Sequence, residues 1–269
     1  MTGETAEAVH DSVRRSYAAI ASGATNSGCC LPESSSCCGA KTPSAEDLAK
    51  AFGYSDDELA SLPEGSNMGL GCGNPAAIAA MKPGETVIDL GSGGGIDCFL
   101  AAGRVGKEGR VIGIDMTPEM LKKARDNARR IGYGNVEFRL GEIENLPAAD
   151  NTADVIISNC VLNLSPNKPQ ALREAFRVLK PGGRLAISDV VATAELPDEF
   201  KNDAELLCGC ISGCAAIDQL SGWLAAAGFI GIDIKTKEES RMTIKEWAPG
   251  RGIENYVVSA VIKAVKPVL

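Results

Sequence analysis

The run VIDLGSGGGIDCFLAA, residues 87–102, decides the architecture. Thr86 to Leu90 reads as a strand, and Ile96 to Val105 carries the apolar spacing of a helix. Asp89-Leu90-Gly91-Ser92-Gly93-Gly94-Gly95 joins the two. Bare backbone can approach a ligand closely, and the helix that follows offers unpaired N–H groups, so the loop suits a nucleotide-like ligand. About 20 residues further on, Asp115 ends a second strand, Arg110 to Ile114, where a carboxylate can accept both ribose hydroxyl protons. A dinucleotide site would show G-x-G-x-x-G with its third glycine packed on the helix. Here Gly91, Gly93 and Gly95 are followed by Ile96, so that pattern fails and S-adenosylmethionine becomes the better candidate.

Outward from this βαβ unit the alternation continues. Thr117 and Pro118 start a helix that buries Met120, Leu121, Ala124, Ala128 and Ile131 and stops at Gly132. Strands are expected near Val136 to Arg139, Asp154 to Ser158 and Arg184 to Ser188, with a helical stripe of Leu172, Ala175, Phe176 and Leu179 before Pro181-Gly182-Gly183. Such recurrence implies a doubly wound, mostly parallel α/β sheet. Ligands in such sheets lie beyond the carboxyl ends of the strands. Asp89, Gly91, Ser92, Gly93, Asp115 and Met116 are therefore the expected cofactor contacts, with Gly141, Glu142 and Ile143 beside the adenine and Asn159 beside the methionine portion.

Composition narrows the chemistry. A net charge of −8 with 4% aromatic residues supplies neither the basic footprint nor the stacking surface that nucleic acid needs. The single histidine, His10, leaves little for His-based catalysis and reads as a solvated helix residue. Apolar runs fall far short of the roughly 20 residues that span a bilayer. The opening MTGETAEAVH lacks the basic start and apolar stretch of a secretory signal, so a cytoplasmic protein without membrane attachment is expected. In a reducing compartment ten cysteines point to metal binding, catalysis or transient redox rather than structural disulfides.

Their placement is uneven. Cys29-Cys30 and Cys37-Cys38 lie in a Gly/Ser/Asn/Pro-rich stretch, residues 22–43, that follows a helix over Val9 to Ala21. After a short helical region, Ser44 to Leu62, Gly69-Leu70-Gly71-Cys72-Gly73-Asn74-Pro75 puts Cys72 on a glycine-rich turn entering a helix, with Asn74 as N-cap and Pro75 first inside. Cys160 follows a strand's carboxyl end. If residues 208–214 are helical, Cys210 and Cys214 share a face. Cys98 reads as packing, and Cys208 and Cys214 read as core by default.

The run at 87–102, with GIDMTPEM (113–120), GEIENLP (141–147), SNCVLNL (158–164) and VLKPGG (178–183), resembles a class I methyltransferase. SCCGA (36–40), NMGLGCGNP (67–75), SNCVLNLSP (158–166) and GCISGC (209–214) resemble the arsenite methyltransferase family in particular, over Ser36 to Val265. The resemblance implies a Rossmann-like, seven-stranded sheet whose last strand runs antiparallel, and S-adenosylmethionine as methyl donor to arsenite and methylated arsenicals in arsenic detoxification. It implies Cys160 and Cys210 as lasting As(III) ligands, and Cys72 with an N-terminal cysteine as early-binding or redox partners. Cys38 is preferred for the latter, with Cys37, Cys29 and Cys30 as further candidates. A glutathione or thioredoxin system would serve as reductant.

Three segments are expected: residues 1–75, an N-terminal helix and cysteine-rich extension; 76–190, the cofactor-binding core; and 191–269, an acceptor-binding C-terminal region with strands at Gly231 to Lys237 and Tyr256 to Ala264. Two rivals remain at this level. One is a methyltransferase for a small organic metabolite, since the fold hosts many acceptors. The other is a thiol-based metal-binding protein, since Cys210-x-x-x-Cys214 falls within zinc-ligand spacing.

Overall fold

The computed structural model describes residues 5–23, 44–201 and 203–268. Cys29, Cys30, Cys37 and Cys38 lie outside the described residues.

The N-terminal segment forms α1 (Ala6–Ala21), capped by the Thr5 hydroxyl, then α2 (Ala45–Ala51) and α3 (Asp56–Ala60). Both short helices start with reciprocal capping, Ser44 with Asp47 and Ser55 with Glu58, which satisfies N–H groups that a helix start leaves orphaned. α4 (Pro75–Ile78) has Asn74 as its N-cap and Pro75 first inside. β1 (Thr86–Leu90), α5 (Ile96–Val105), β2 (Arg110–Asp115), α6 (Pro118–Ile131), β3 (Val136–Leu140), β4 (Ala153–Asn159) and α7 (Lys168–Val178) follow. The chain then runs through β5 (Leu179–Ala192), α8 (Asp198–Lys201), α9 (Ala204–Cys208), α10 (Ile217–Ala227), β6 (Ile230–Lys237), α11 (Ser240–Lys245) and β7 (Val257–Val265).

The strands make one seven-stranded sheet in the order β3-β2-β1-β4-β5-β7-β6. β1 to β5 pair in parallel and β7 runs antiparallel to both β5 and β6. The doubly wound class and its antiparallel strand therefore agree with the sequence reading. β5 is longer than expected because Leu179 already pairs with Ala153 of β4, the Pro181-Gly182-Gly183 stretch bulges before pairing resumes at Arg184, and the ladder with β7 runs on through Ala192.

Alternation along the buried strands feeds two layers. Ile88, Ile112 and Ile156 pack toward α7 and α10, while Val87, Val111, Val155 and Ile157 pack toward α5 and α6. Each fully buried Val or Ile contributes about 1.5–3 kcal/mol, so the sheet anchors whatever its strand ends carry. A third apolar cluster caps the carboxyl ends of β4 and β5, and it holds Val9 and Val13 of α1, Phe200 of α8, Leu206 and Leu207 of α9, and Cys72, Cys160 and Cys210. Residues 209–215 are not helical. α9 stops at Cys208 and Cys210 has φ 63°, a left-handed conformation that no helix accommodates, so the shared helical face expected for Cys210 and Cys214 does not form.

Candidate active site

Two adjoining clefts open at the carboxyl ends of β1, β2 and β4. The larger encloses about 680 Å³ and is walled by Gly91, Gly93, Asp115, Met116, Gly141 and Ile143 on the sheet side and by Cys160, Val161 and Leu164 beyond β4. The second, about 580 Å³, adds Asp89, Ser92, Asp97 and the 66–71 loop.

Backbone geometry builds the first cleft. Gly91 has φ 70°, and a Cβ there would collide with Val161, whereas Gly93 faces open space. The Gly93 N–H donates to Asp115 Oδ2 (2.9 Å) and the Thr117 N–H donates to Asp115 Oδ1 (2.8 Å). The carboxylate is thereby aimed into the cleft with lone pairs to spare for hydroxyl donors. Burial raises the pKa of Asp115. Glu142, expected beside the adenine, instead meets Arg14 (3.2 Å) at the rim, while its neighbour Glu144 lines the cleft. Glu144 is also bonded to the Ser165 hydroxyl.

His10 is not solvated. Its side chain is 13% exposed, lines the cleft with Val13 and Tyr17, and places Nε2 3.2 Å from Glu144 Oε1. Arg14 donates to the Met116 carbonyl (3.3 Å) and the Tyr17 hydroxyl to the Cys208 carbonyl (3.2 Å). α1 therefore roofs the cleft. The helical periodicity of residues 9–21 marked one buried face, but what covers it is a tertiary fact that spacing does not carry.

Acidic groups floor the second cleft. Asp89 and Asp97 are 2% and 3% exposed. Burial, then the neighbouring Asp97, push Asp89 well above the ordinary carboxylate range, and burial pushes Asp97 up to about 6. The Cys98 thiol donates to Asp89 Oδ2 (3.2 Å), the Tyr54 hydroxyl to Asp97 Oδ1 (2.8 Å) and Asn159 Nδ2 to Asp97 Oδ2 (3.1 Å). Buried acids of this kind suit a cationic guest. A ligand with ribose hydroxyls, a flat base and positive charge fits the two clefts together, since Ile143, Val161 and Leu164 supply apolar walls and Asp115, Asp89 and Asp97 the acceptors. The Ser92 hydroxyl, buried without a partner among the described residues, is a further polar group at the loop.

Beyond the first cleft lie the sulfurs. Cys72 and Cys160 are joined as a disulfide, Cα–Cα 5.9 Å across a sequence separation of 88. The 67–75 loop reaches Cys160 because Asn159 holds it, accepting from the Cys72 N–H (3.0 Å) and donating to the Gly73 carbonyl (2.8 Å). Glycine is required on either side of Cys72, because a Cβ at Gly71 would lie 2.7 Å from Asn159 and one at Gly73 2.6 Å from Ser188. Asn159 thus orients the cysteine loop as well as lining both clefts. Cys210 Sγ donates to the Cys160 carbonyl (2.7 Å). Its loop is stapled by Asn163, whose Nδ2 donates to the Cys210 carbonyl (3.1 Å), the Val190 carbonyl (2.7 Å) and Asp189 Oδ1 (2.9 Å). Cys160 and Cys210 both have positive φ, 55° and 63°, a conformation that costs a residue with a Cβ about 1–2 kcal/mol.

Cys72, Cys160 and Cys210 are thus brought together next to the glycine-loop cleft, Cys98 sits on α5 with its thiol on Asp89, and Cys214 packs against the same apolar cluster as the three. Burial raises the Cys98 thiol well above its usual range and lifts Cys214 to about 12. Neither is therefore a ready thiolate. Sequence reasoning missed the α1 residues, Asn163, Asp189 and Lys168. The last is a buried lysine whose ammonium donates to the Ser165 carbonyl (2.9 Å) and whose pKa burial lowers.

A methyltransferase domain family matches residues 81–239. The chain is 48% identical to the arsenite methyltransferase of Halobacterium salinarum over 267 residues, which is 97% of this chain and 67% of that protein. It is 41% identical to human arsenite methyltransferase over 152 residues, 53% of this chain and 40% of that one. The chain thus spans about two thirds of the first relative's length and less than half of the second's. Among solved structures it resembles an arsenic(III) S-adenosylmethionine methyltransferase from Chlamydomonas reinhardtii, with TM-score 0.62 and 30% identity over 85% of this chain and 75% of that one. A Haemonchus contortus phosphoethanolamine N-methyltransferase 2 (TM-score 0.61, 19% identity, 83% of this chain, 57% of that one) shares the fold. With the sheet order, the glycine-loop cleft and this identity over nearly the whole chain, the protein belongs to the arsenite methyltransferase family.

Proposed function

We propose that this chain methylates trivalent arsenic, using S-adenosylmethionine as donor and the sulfurs of Cys72, Cys160 and Cys210 to hold the acceptor. The observation that carries the reading is convergence: a disulfide of Cys72 and Cys160, with Cys210 Sγ on the Cys160 carbonyl, at the end of the cleft that Gly91 and Asp115 wall. When bound, the cofactor supplies a methyl group activated by its sulfonium.

The protein's own residues do the rest. Asp115 and the backbone of Gly91 to Gly93 would hold the ribose end, and Ile143, Val161 and Leu164 would give the adenine apolar walls. Asp89 and Asp97, which line the second cleft, would meet the cationic methionine portion. Three thiolates satisfy As(III) and leave its lone pair unshared. With that pair free to accept the methyl group the cofactor would supply, the sulfurs' task is positioning rather than proton transfer. No proton leaves the acceptor, which agrees with a cleft whose one histidine is bonded to Glu144.

The disulfide has a place in this scheme. Methyl transfer formally oxidises arsenic by two electrons, and two thiolates joining as a disulfide return those electrons. An external dithiol or two glutathione molecules then reduce the disulfide and are themselves oxidised, so that the three thiols are restored. We place Cys38 among the thiols that relay this step. A cytoplasmic setting with its reducing pool suits the cycle, and among the described residues no helix is long and apolar enough to cross a membrane. Methylated arsenicals are the product, and detoxification is the role that follows.

The test is incubation of reduced protein with arsenite, a thiol and S-adenosylmethionine, followed by chromatographic speciation of arsenic. Wild type should yield methylated species and Cys160→Ser should yield none. Full transfer by Cys160→Ser, or none by wild type, sinks the reading.

A further inference from the structure

Asp189 stands in the last third of β5, 1% exposed. One carboxylate oxygen, Oδ1, accepts from the Val190 N–H (2.8 Å) and from Asn163 Nδ2 (2.9 Å). The other, Oδ2, is buried with no hydrogen-bond partner among the described residues. A carboxylate oxygen of this residue lies within 4.8 Å of both Cys72 Sγ and Cys160 Sγ, which are themselves within that distance of each other. An orphaned buried oxygen costs free energy and calls for an occupant.

We propose that, once the Cys72–Cys160 disulfide is reduced, Cys72, Cys160 and Asp189 bind a thiophilic divalent cation of the zinc class. Two thiolates and a carboxylate, all buried and within 4.8 Å of one another, form a three-ligand zinc set, with water in the fourth position. The ligand types select against hard ions such as Mg²⁺ or Ca²⁺, which take oxygen donors alone. Arsenic(III) has a different need. It is satisfied by sulfur in a pyramidal array and has no use for the carboxylate, so Asp189 distinguishes the two occupants.

Charge supports the assignment. The field of the buried Lys168 reaches Asp189. Two thiolates and Asp189 carry three negative charges, and Lys168 with a divalent cation carries three positive ones, so the loaded site is neutral. With arsenic held by three thiolates that complex is itself neutral, and Lys168 and Asp189 offset each other. Each occupant therefore gives a balanced buried cluster, and the two exclude each other because they share Cys72 and Cys160. Metal binding does not depend on the arsenic reading; only the competition does.

The experiment uses the full chain, reduced with a phosphine, freed of reductant without oxygen and titrated with Co²⁺ as optical probe and then with Zn²⁺. Wild type should develop a sulfur-to-cobalt charge-transfer band that Zn²⁺ abolishes. Asp189→Asn, which keeps an Oδ1 acceptor for Val190 and Asn163, should bind Zn²⁺ at least about tenfold more weakly. Its retention of arsenite, read by equilibrium dialysis, should stay within about twofold of wild type. Zinc affinity of Asp189→Asn within twofold of wild type overturns the site. Should that variant fail to fold by circular dichroism, Cys72→Ser decides instead, and unchanged zinc affinity there overturns it equally. A wild type that binds Zn²⁺ as expected yet never methylates arsenite would count against the proposed function and leave this site standing.

Discussion

The cofactor cleft and the sulfur cluster adjoin, yet they are assembled on different principles. The cleft comes chiefly from one stretch of chain, residues 89–164, and its specificity is written in backbone: a glycine turn and two N–H groups aiming Asp115. The sulfurs come from three loops, with Cys72 and Cys160 88 residues apart and Cys210 another 50 beyond. They meet because Asn159 and Asn163, with Ser259 donating to the Cys72 carbonyl, tie those loops to the sheet. A local site tolerates change at a distance, whereas a convergent one depends on every tether.

The contrast is sharpest where one side is removed and the other read. Cys210→Ser should lower arsenite methylation on the order of 100-fold, the scale of a misplaced reacting atom. Calorimetry should find S-adenosylmethionine affinity unaltered, and a parallel loss there would merge the two regions. Conversely, Asp115→Asn removes the anionic acceptor, worth about 1.5–3 kcal/mol for charged hydrogen bonds, or roughly 10–100-fold in Kd. Arsenite retention by dialysis should be untouched, and an equal fall in both would show the cleft and the sulfurs to be one unit.

A pH experiment probes the cleft alone. Burial lifts Asp97 to about 6, so the ligand-free folded state keeps a proton that the unfolded chain releases near 4. Folding is thereby favoured at low pH, and the benefit is lost as pH rises from about 4 to about 6. Asp97→Asn should flatten that limb of the denaturation profile, gaining on wild type by about 1.4 kcal/mol per pH unit. Parallel profiles would contradict the assignment. The smallest effect is expected from the roof: His10→Ala loses one hydrogen bond to Glu144, about 0.5–1.5 kcal/mol, and should weaken cofactor binding only a few-fold by calorimetry. An unchanged affinity would mean that α1 covers the cleft without gripping its contents.

Legibility in the sequence follows the same division. Gly91 to Gly95 and Asp115 could be read directly, since a strand, a turn and a helix start are local events and the ligand seat is fixed by their order. Cys160 could be placed because it follows β4. Cys210 could be singled out, but not its conformation, since CGCISGC spaces like a helix, whereas α9 ends at Cys208 and Cys210 turns left-handed. Asp189 was hidden inside the strand run SDVVA, where a lone acid gives no hint that β4 and β5 lie side by side and aim it at two sulfurs. His10 was misjudged for a related reason: an amphipathic helix announces a buried face without naming its partner.

The left-handed backbone at Cys160 and Cys210 bears on any attempt to harden this protein by laboratory selection. Glycine would occupy either position at lower cost, by about 1–2 kcal/mol each, and would delete a sulfur in doing so. Screening for heat resistance alone would reward relaxed, inert descendants, so survival on arsenic has to be scored alongside survival of heat.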